Sequence, residues 1–181
     1  MKNEELIVLL DEQGKPIGTA PKLASHHANT PLHAAFSCYV FNDKDEFLVT
    51  QRALSKKVWP GVWTNSVCGH PGPDETHQAA IERRAHDELG ATLTDIQVIL
   101  PDYRYKTPAF NGIVENEICP VFTARLKGGL APNPEEVEDY SWLTWADYKA
   151  DLQSHGEKYS YWAKDQLKQL AEKQLPPRRF S

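Results

Sequence analysis

Residues 65–90, NSVCGHPGPDETHQAAIERRAHDELG, constrain this chain more than any other stretch. Pro71-Gly72-Pro73 forbids regular structure, Asp74 or Thr76 then offers an N-cap oxygen, and Ile81, Ala85 and Leu89 recur at four-residue spacing. Gly90 supplies the left-handed stop, so the pattern predicts a helix that ends at Leu89 and is entered through a rigid loop. The last turn carries Asp87 and Glu88, where the helix dipole disfavours negative charge. A hard cation held through carboxylate oxygens would offset that cost. The plain alternative is a solvated turn with Arg83–Asp87 and Arg84–Glu88 as i,i+4 pairs.

Around this helix the chain reads mainly as strands. Leu6–Leu10 and Pro16–Thr19 form a hairpin across Asp11–Lys15. The apolar stretch Pro31–Phe41 turns at Asn42–Asp45 into Phe47–Arg52. Trp59-Pro60-Gly61-Val62-Trp63 is a rigid loop that could furnish an aromatic wall. Later come Ile96–Leu100, a longer strand Ile113–Arg125 interrupted at Pro120, and Val137–Leu143. Helices are expected at Ala146–Gln153 and Trp162–Gln174, the second fading into Pro176-Pro177-Arg178-Arg179. No repeat or long linker divides the chain, so the expectation is α/β: a mixed β-sheet sandwiched between helices in a single domain, 1–181.

Composition narrows the partners. The 181 residues hold 20 Lys+Arg against 25 Asp+Glu, a net charge of −5, which argues against general binding to nucleic acid or anionic membranes. One small anion remains compatible, because a local cluster of cations can dominate a pocket. The run Leu6–Leu10 is too short for a signal peptide and nothing approaches a membrane span; three cysteines without CxxC spacing give no disulfide framework. A cytoplasmic protein with free thiols is expected.

A second group of residues has metal-ligand chemistry: His26, His33, His70, Glu115 and Glu117. In a strand, Glu115 and Glu117 project from one face, which like charges tolerate only if that face is wet or holds a cation. Together with three imidazoles they could complete an octahedral site for Mn²⁺, Mg²⁺ or Zn²⁺. Taken singly, each His reads as a surface or core imidazole. Cys38 and Cys119 read as small buried hydrophobes, whereas Cys68, beside Gly69-His70, could serve as a base or nucleophile.

Gly69, Glu75, Arg83, Asp87-Glu88 and Gly90 match most of the Nudix box, at about 69–91, a loop–helix–loop that holds magnesium against a diphosphate. One position departs: the box expects Glu after its Arg, and this chain has Arg84. That weakens metal-driven hydrolysis and adds a cation for phosphate oxygens.

Thr64-Asn65-Ser66-Val67-Cys68-Gly69-His70-Pro71, with Gly112-Ile113-Val114-Glu115-Asn116-Glu117, resembles the type 1 isopentenyl-diphosphate Δ-isomerases of the Nudix superfamily. Thr30-Pro31-Leu32-His33, Arg52–Lys57 and Trp59–Thr64 support the likeness, which runs from about Leu6 to Trp145. The resemblance implies interconversion of isopentenyl and dimethylallyl diphosphate, a 1,3-shift through a tertiary carbocation. Cys68 and Glu117 would be the catalytic pair, Glu117 giving a proton to the terminal methylene and Cys68 taking one from the other side. His26, His33, His70, Glu115 and Glu117 would hold one divalent ion. Glu88 and the Cys68 carbonyl would hold a Mg²⁺ bridging to the diphosphate, with Lys22, Arg52, Lys56 and Arg84 on its oxygens. Tyr105 and Trp162 would line the pocket, Trp162 as cation–π partner; its alternative is a packed residue of the terminal helix. The resemblance further implies a monomer or weak homodimer. The competing readings are a Nudix hydrolase, which Arg84 discourages, and a silent diphosphate-binding module, which has no need of a carbon acid and base.

Overall fold

A computed structural model describes residues 5–171. The strands are β1 (Leu6–Leu10), β2 (Pro16–Pro21), β3 (His33–Ala34), β4 (Phe36–Phe41), β5 (Phe47–Arg52), β6 (Trp63–Thr64), β7 (Val67–Gly69), β8 (Thr92–Leu100), β9 (Arg104–Lys106), β10 (Asn116–Ile118), β11 (Val121–Lys127) and β12 (Val137–Leu143). The helices are α1 (Lys22–Ser25), α2 (His77–Leu89), α3 (Trp145–Ser154) and α4 (Tyr161–Leu170). The described part of the terminal helix thus begins one residue early; its expected continuation to Gln174 and the run 176–179 lie outside the described residues.

The strands form two sheets, ordered β2-β1-β3-β10-β9 and β12-β5-β4-β11-β8, with β6 on β5 and β7 on β4. Both sheets are mixed: β10 runs parallel to β3 and antiparallel to β9, and β11 runs parallel to β4 and antiparallel to β8. The second sheet is sandwiched as expected. Along β4 the side chains alternate, Phe36, Cys38 and Val40 packing with Ile81, Ala85 and Leu89 of α2, while Tyr39 and Phe41 pack with Trp145, Tyr148, Trp162 and Leu170. Each large apolar side chain so buried contributes roughly 1.5–3 kcal/mol. Among the described residues no helix is long and apolar enough to cross a membrane.

Local chemistry sets the ends of α2. Thr76, not Asp74, is the N-cap, its hydroxyl accepting from Ala79 N at 3.2 Å. Gly90 stops the helix at φ 58°, and a Cβ there would stand 2.9 Å from the Ala131 carbonyl oxygen, so both conformation and space demand glycine.

Two strands differ from their sequence reading. The strand expected at Ile96–Leu100 starts earlier, at Thr92, paired to Lys127 of β11. The strand expected from Ile113 starts only at Asn116: Ile113 folds back on Phe110, and Glu115 is tied instead to Thr107, which takes up both its N–H and its carbonyl. Strand β9, which no alternation announces, closes the edge of the first sheet beside β10.

Candidate active site

A cleft opens between the two sheets. Its walls include β10 from one sheet, β7 from the other, and the last turns of α2. Lys22, His26, Arg52, Lys56, Cys68, His70, Arg84, Glu88, Tyr105, Glu115, Glu117 and Trp162 all line it, and His33 lies just behind on β3. Every site residue expected from the sequence is therefore gathered at one place.

The imidazoles cluster tightly. The rings of His26, His33 and His70 lie with centroids 5.0–5.5 Å apart. One ligand atom from each, with one from Glu117, lies within 4.8 Å of the others, and all four residues are buried. His26 Nδ1 is 2.6 Å from the Lys22 carbonyl and His33 Nδ1 is 2.9 Å from the Pro31 carbonyl. Those carbonyls can only accept, so each Nδ1 carries the proton and each Nε2 presents a lone pair to the cluster. His33 Nε2 and Glu115 Oε2 are buried without hydrogen-bond partners. Orphaned donors of nitrogen and oxygen pairs at this density are what a divalent cation would satisfy, so the residues fit a metal. Glu115 joins them at 3.3 Å from His26 Nε2, although its strand begins after it.

Electrostatics follow from burial and neighbours. Burial lowers His70 to about 3, against the pull of its bond to Glu117, which favours the neutral ring. For His26 the penalty of burial is outweighed by Glu115, which leaves it above its ordinary value. Burial alone would raise Glu117; the adjoining His33 and His70 imidazoles overcome it and hold the carboxyl well below the usual range. Tyr105 donates to Glu117 Oε2 at 2.7 Å, and His70 Nε2 lies 3.0 Å from Oε1.

Cys68 faces the cleft from β7 beside Gly69, where a Cβ would come within 3.1 Å of the Arg84 stem and 3.2 Å of Phe36. Burial pushes its thiol up to about 12, with Glu88 and Glu117 adding to it and Ser37 opposing. Its Sγ donates to Asn65 Oδ1 at 2.7 Å.

Each cation of the cleft already has a partner. Lys22 pairs with Glu5 at 2.9 Å, Lys56 with Glu136, and Arg84 with Glu88 and Glu136; Arg52 donates to the carbonyls of Val58 and Trp59. The pair Arg84–Glu88 foreseen for a plain helix end is present, but Arg83 turns away from Asp87 and forks onto Glu75 at 2.7 and 2.8 Å. Trp162 is the second residue of α4 and lines the cleft as well, its indole N–H donating to Thr64 Oγ1 at 2.8 Å.

The sequence reading gave no role to Glu136, Ser37, Asn65 or Gln166, although Asn65 stands in the motif around Cys68. For Gln166 a signal existed: a polar residue on the buried stripe Trp162, Gln166, Leu170 of α4.

A profile of the NUDIX domain matches residues 31–163, and the fold agrees. The DR0079 protein of Deinococcus radiodurans superposes with a TM-score of 0.70 at 19% identity, over 91% of this chain and 98% of its own. A MutT NUDIX hydrolase from Burkholderia pseudomallei gives 0.58 at 18%, over 77% and 98%. Likeness at such identity concerns the fold alone. Much nearer in sequence are isopentenyl-diphosphate Delta-isomerases: that of Paenarthrobacter aurescens is 50% identical over 177 residues, 98% of this chain and 96% of its own. That of Mycolicibacterium vanbaalenii is 49% identical over 163 residues, 90% of each. That of Salmonella paratyphi B is 59% identical over 139 residues, 77% of each. The chain carries a NUDIX domain, and within that class it belongs to the isopentenyl-diphosphate Delta-isomerase family.

Proposed function

We propose that this protein isomerises isopentenyl diphosphate to dimethylallyl diphosphate, with Cys68 and Glu117 as the catalytic pair and a divalent cation at the His/Glu cluster. The observation that carries the reading is that a thiol on β7 and a carboxylate on β10 reach one cleft from two different sheets. A 1,3-shift needs that: a proton added at one terminal carbon and another removed from the carbon two bonds away, the members of the pair exchanging roles with direction. Neither hydrolysis nor mere binding requires a thiol there.

The rest of the cleft suits the intermediate. Protonating the alkene makes a tertiary cation that water would trap. The aromatic faces of Trp162 and Tyr105, with ring centroids 6.2 Å apart, exclude water and favour positive charge. Lys22, Arg52, Lys56 and Arg84 would exchange their present partners for diphosphate oxygens, anchoring the substrate by a group that does not react. His26, His33, His70, Glu115 and Glu117 would hold one divalent ion, Mn²⁺, Mg²⁺ or Zn²⁺; Glu88 and the Cys68 carbonyl would hold Mg²⁺. When bound, such ions supply positive charge that offsets the carboxylates and the diphosphate. Tyr105 keeps Glu117 aimed by bonding its other oxygen.

The test is direct. Purified protein is incubated with isopentenyl diphosphate and Mg²⁺ in D₂O and followed by proton NMR. Deuterium entering dimethylallyl product supports the reading; phosphate release without isomerisation overturns it. Cys68→Ala and Glu117→Gln should each abolish turnover in a folded protein, and full activity in either rejects the pair.

A further inference from the structure

We propose that Gln166 is a positioning residue: from the core of α4 it orients Asn65 and Ser37, which between them hold the Cys68 thiol at the wall of the cleft. This rests on the reading of Cys68 as a member of the catalytic pair.

Gln166 is wholly buried among Trp162, Leu167 and Leu170, where helix packing alone would favour an apolar side chain. Its amide is instead engaged at both ends. Oε1 accepts from Tyr39 OH at 3.0 Å and from Asn65 Nδ2 at 3.3 Å, and Nε2 donates to Ser37 Oγ at 2.8 Å. Tyr39, Asn65 and Ser37 are themselves buried to 1% exposure or less. No water is needed to complete these bonds, and each fixes the orientation of the next.

The chain of constraints ends on sulfur. With its Nδ2 held by Gln166, Asn65 has to point Oδ1 the other way, and that oxygen is the acceptor for the Cys68 thiol at 2.7 Å. Ser37 is the cross-strand neighbour of Cys68 between β4 and β7, its hydroxyl 3.6 Å from Cys68 Sγ and 3.5 Å from Cys119 Sγ. Because its oxygen already accepts from Gln166, its own proton is turned toward a sulfur. An apolar residue at 166 would release Ser37 and the Nδ2 end of Asn65, leaving Thr64 alone to hold the amide and loosening the aim of the thiol. Trp162 sits one turn before Gln166 on the same helix, and its indole is tied through Thr64 to the same Asn65 oxygen.

The experiment uses the full-length protein with its metal and isopentenyl diphosphate. Gln166→Met keeps length and flexibility while removing both polar ends; Gln166→Glu keeps the acceptor for Asn65 and Tyr39. Leu170→Ala loosens the same helix without touching the network. Misplacing a reacting group by an ångström costs on the order of 100-fold. Gln166→Met is expected to lower kcat by at least about tenfold with KM within about twofold, and Gln166→Glu to lower it less. Leu170→Ala should lower the unfolding temperature and leave kcat per folded molecule unchanged. If the wild type does not isomerise, the functional reading falls and this inference with it. If the wild type isomerises and Gln166→Met retains kcat per folded molecule, or loses kcat and KM together as a general disturbance would, the positioning role alone is overturned. Should Gln166→Met fail to fold, Gln166→Glu decides by the same criterion.

Discussion

The hydroxyl of Tyr105 donates to Oε2 of Glu117 at 2.7 Å, across the antiparallel pair β9–β10 in which the two residues are direct neighbours. Register puts them together: any slip of one residue would turn Tyr105 to the other face. A hydrogen bond to a charged group is worth about 1.5–3 kcal/mol. Tyr105→Phe should therefore keep the fold and the wall while lowering kcat by roughly tenfold or more. Steady-state kinetics beside a thermal melt checks it, and an unchanged kcat would reduce Tyr105 to a packing residue.

The buried His/Glu cluster makes binding of a divalent ion a folding term. Three imidazoles and Glu117 converge only in the fold, with His33 Nε2 and Glu115 Oε2 left unpartnered, so an ion held there would bind the folded chain and not the unfolded one. At 100 times its dissociation constant such an ion adds about 2.7 kcal/mol. Mg²⁺ or Mn²⁺ should raise the melting temperature of the wild type, and His70→Ala should show a much smaller rise and less bound metal by elemental analysis. An equal rise in both proteins would remove His70 from the metal set.

Asp151 closes α3 onto the segment that leads to α4. Burial acts to raise its carboxyl, but bonds from Lys158, Tyr159 and His155 outweigh that and bring it down to about 2. A folded value below the unfolded one of about 3.9 means the stabilisation is complete above that pH and is lost as pH falls through about 2. The carboxylate is partly exposed, so screening limits its worth to about 1 kcal/mol. Asp151→Asn should unfold at lower urea than wild type at pH 7, with the gap narrowing steadily below pH 4. A gap that stays constant between pH 7 and 3 would show the carboxylate charge to be irrelevant.

Legibility followed the range of the interactions. The end of α2 was readable because Gly90 and the Ile81/Ala85/Leu89 spacing act within one turn. The convergence of the site was readable through motif resemblance, since spacing alone could not bring His26 and Glu117 together. What escaped was non-local. Ile113–Glu115 has the composition of a strand, but its backbone bonds go to Phe110, Thr107 and His27, partners no periodicity names. Glu136 lies 80 residues from Lys56, with which it pairs, and its loop offers nothing local to mark it. The expected single sheet became two because β3 and β4, separated by Ala35 alone, belong to different sheets.

Arg84 is where this chain leaves the Nudix box, and its surroundings say what the change does. It stands between Glu88 and Glu136, with side-chain exposure of 12%, and Lys56 completes the cluster from the other side of Glu136. Restoring the expected residue by Arg84→Glu would put a third carboxylate among two that lose their shared cation. Breaking a buried pair in this way costs about 3 kcal/mol, so the variant should melt well below wild type without metal. Mg²⁺ should recover part of that loss, because carboxylates crowded together are the donors a hard cation prefers. For the substrate the sign is reversed: with Arg84 proposed to meet diphosphate oxygens, the variant would set an anion there, and KM for isopentenyl diphosphate should rise by tenfold or more, about 1.4 kcal/mol per factor of ten. Assays of isomerisation and of phosphate release, run on both proteins across Mg²⁺ concentrations, separate the possibilities. If KM is unmoved, Arg84 belongs to the helix end and not to the substrate. If the variant instead releases phosphate, the departure at this one position is what suppresses hydrolysis in the wild type.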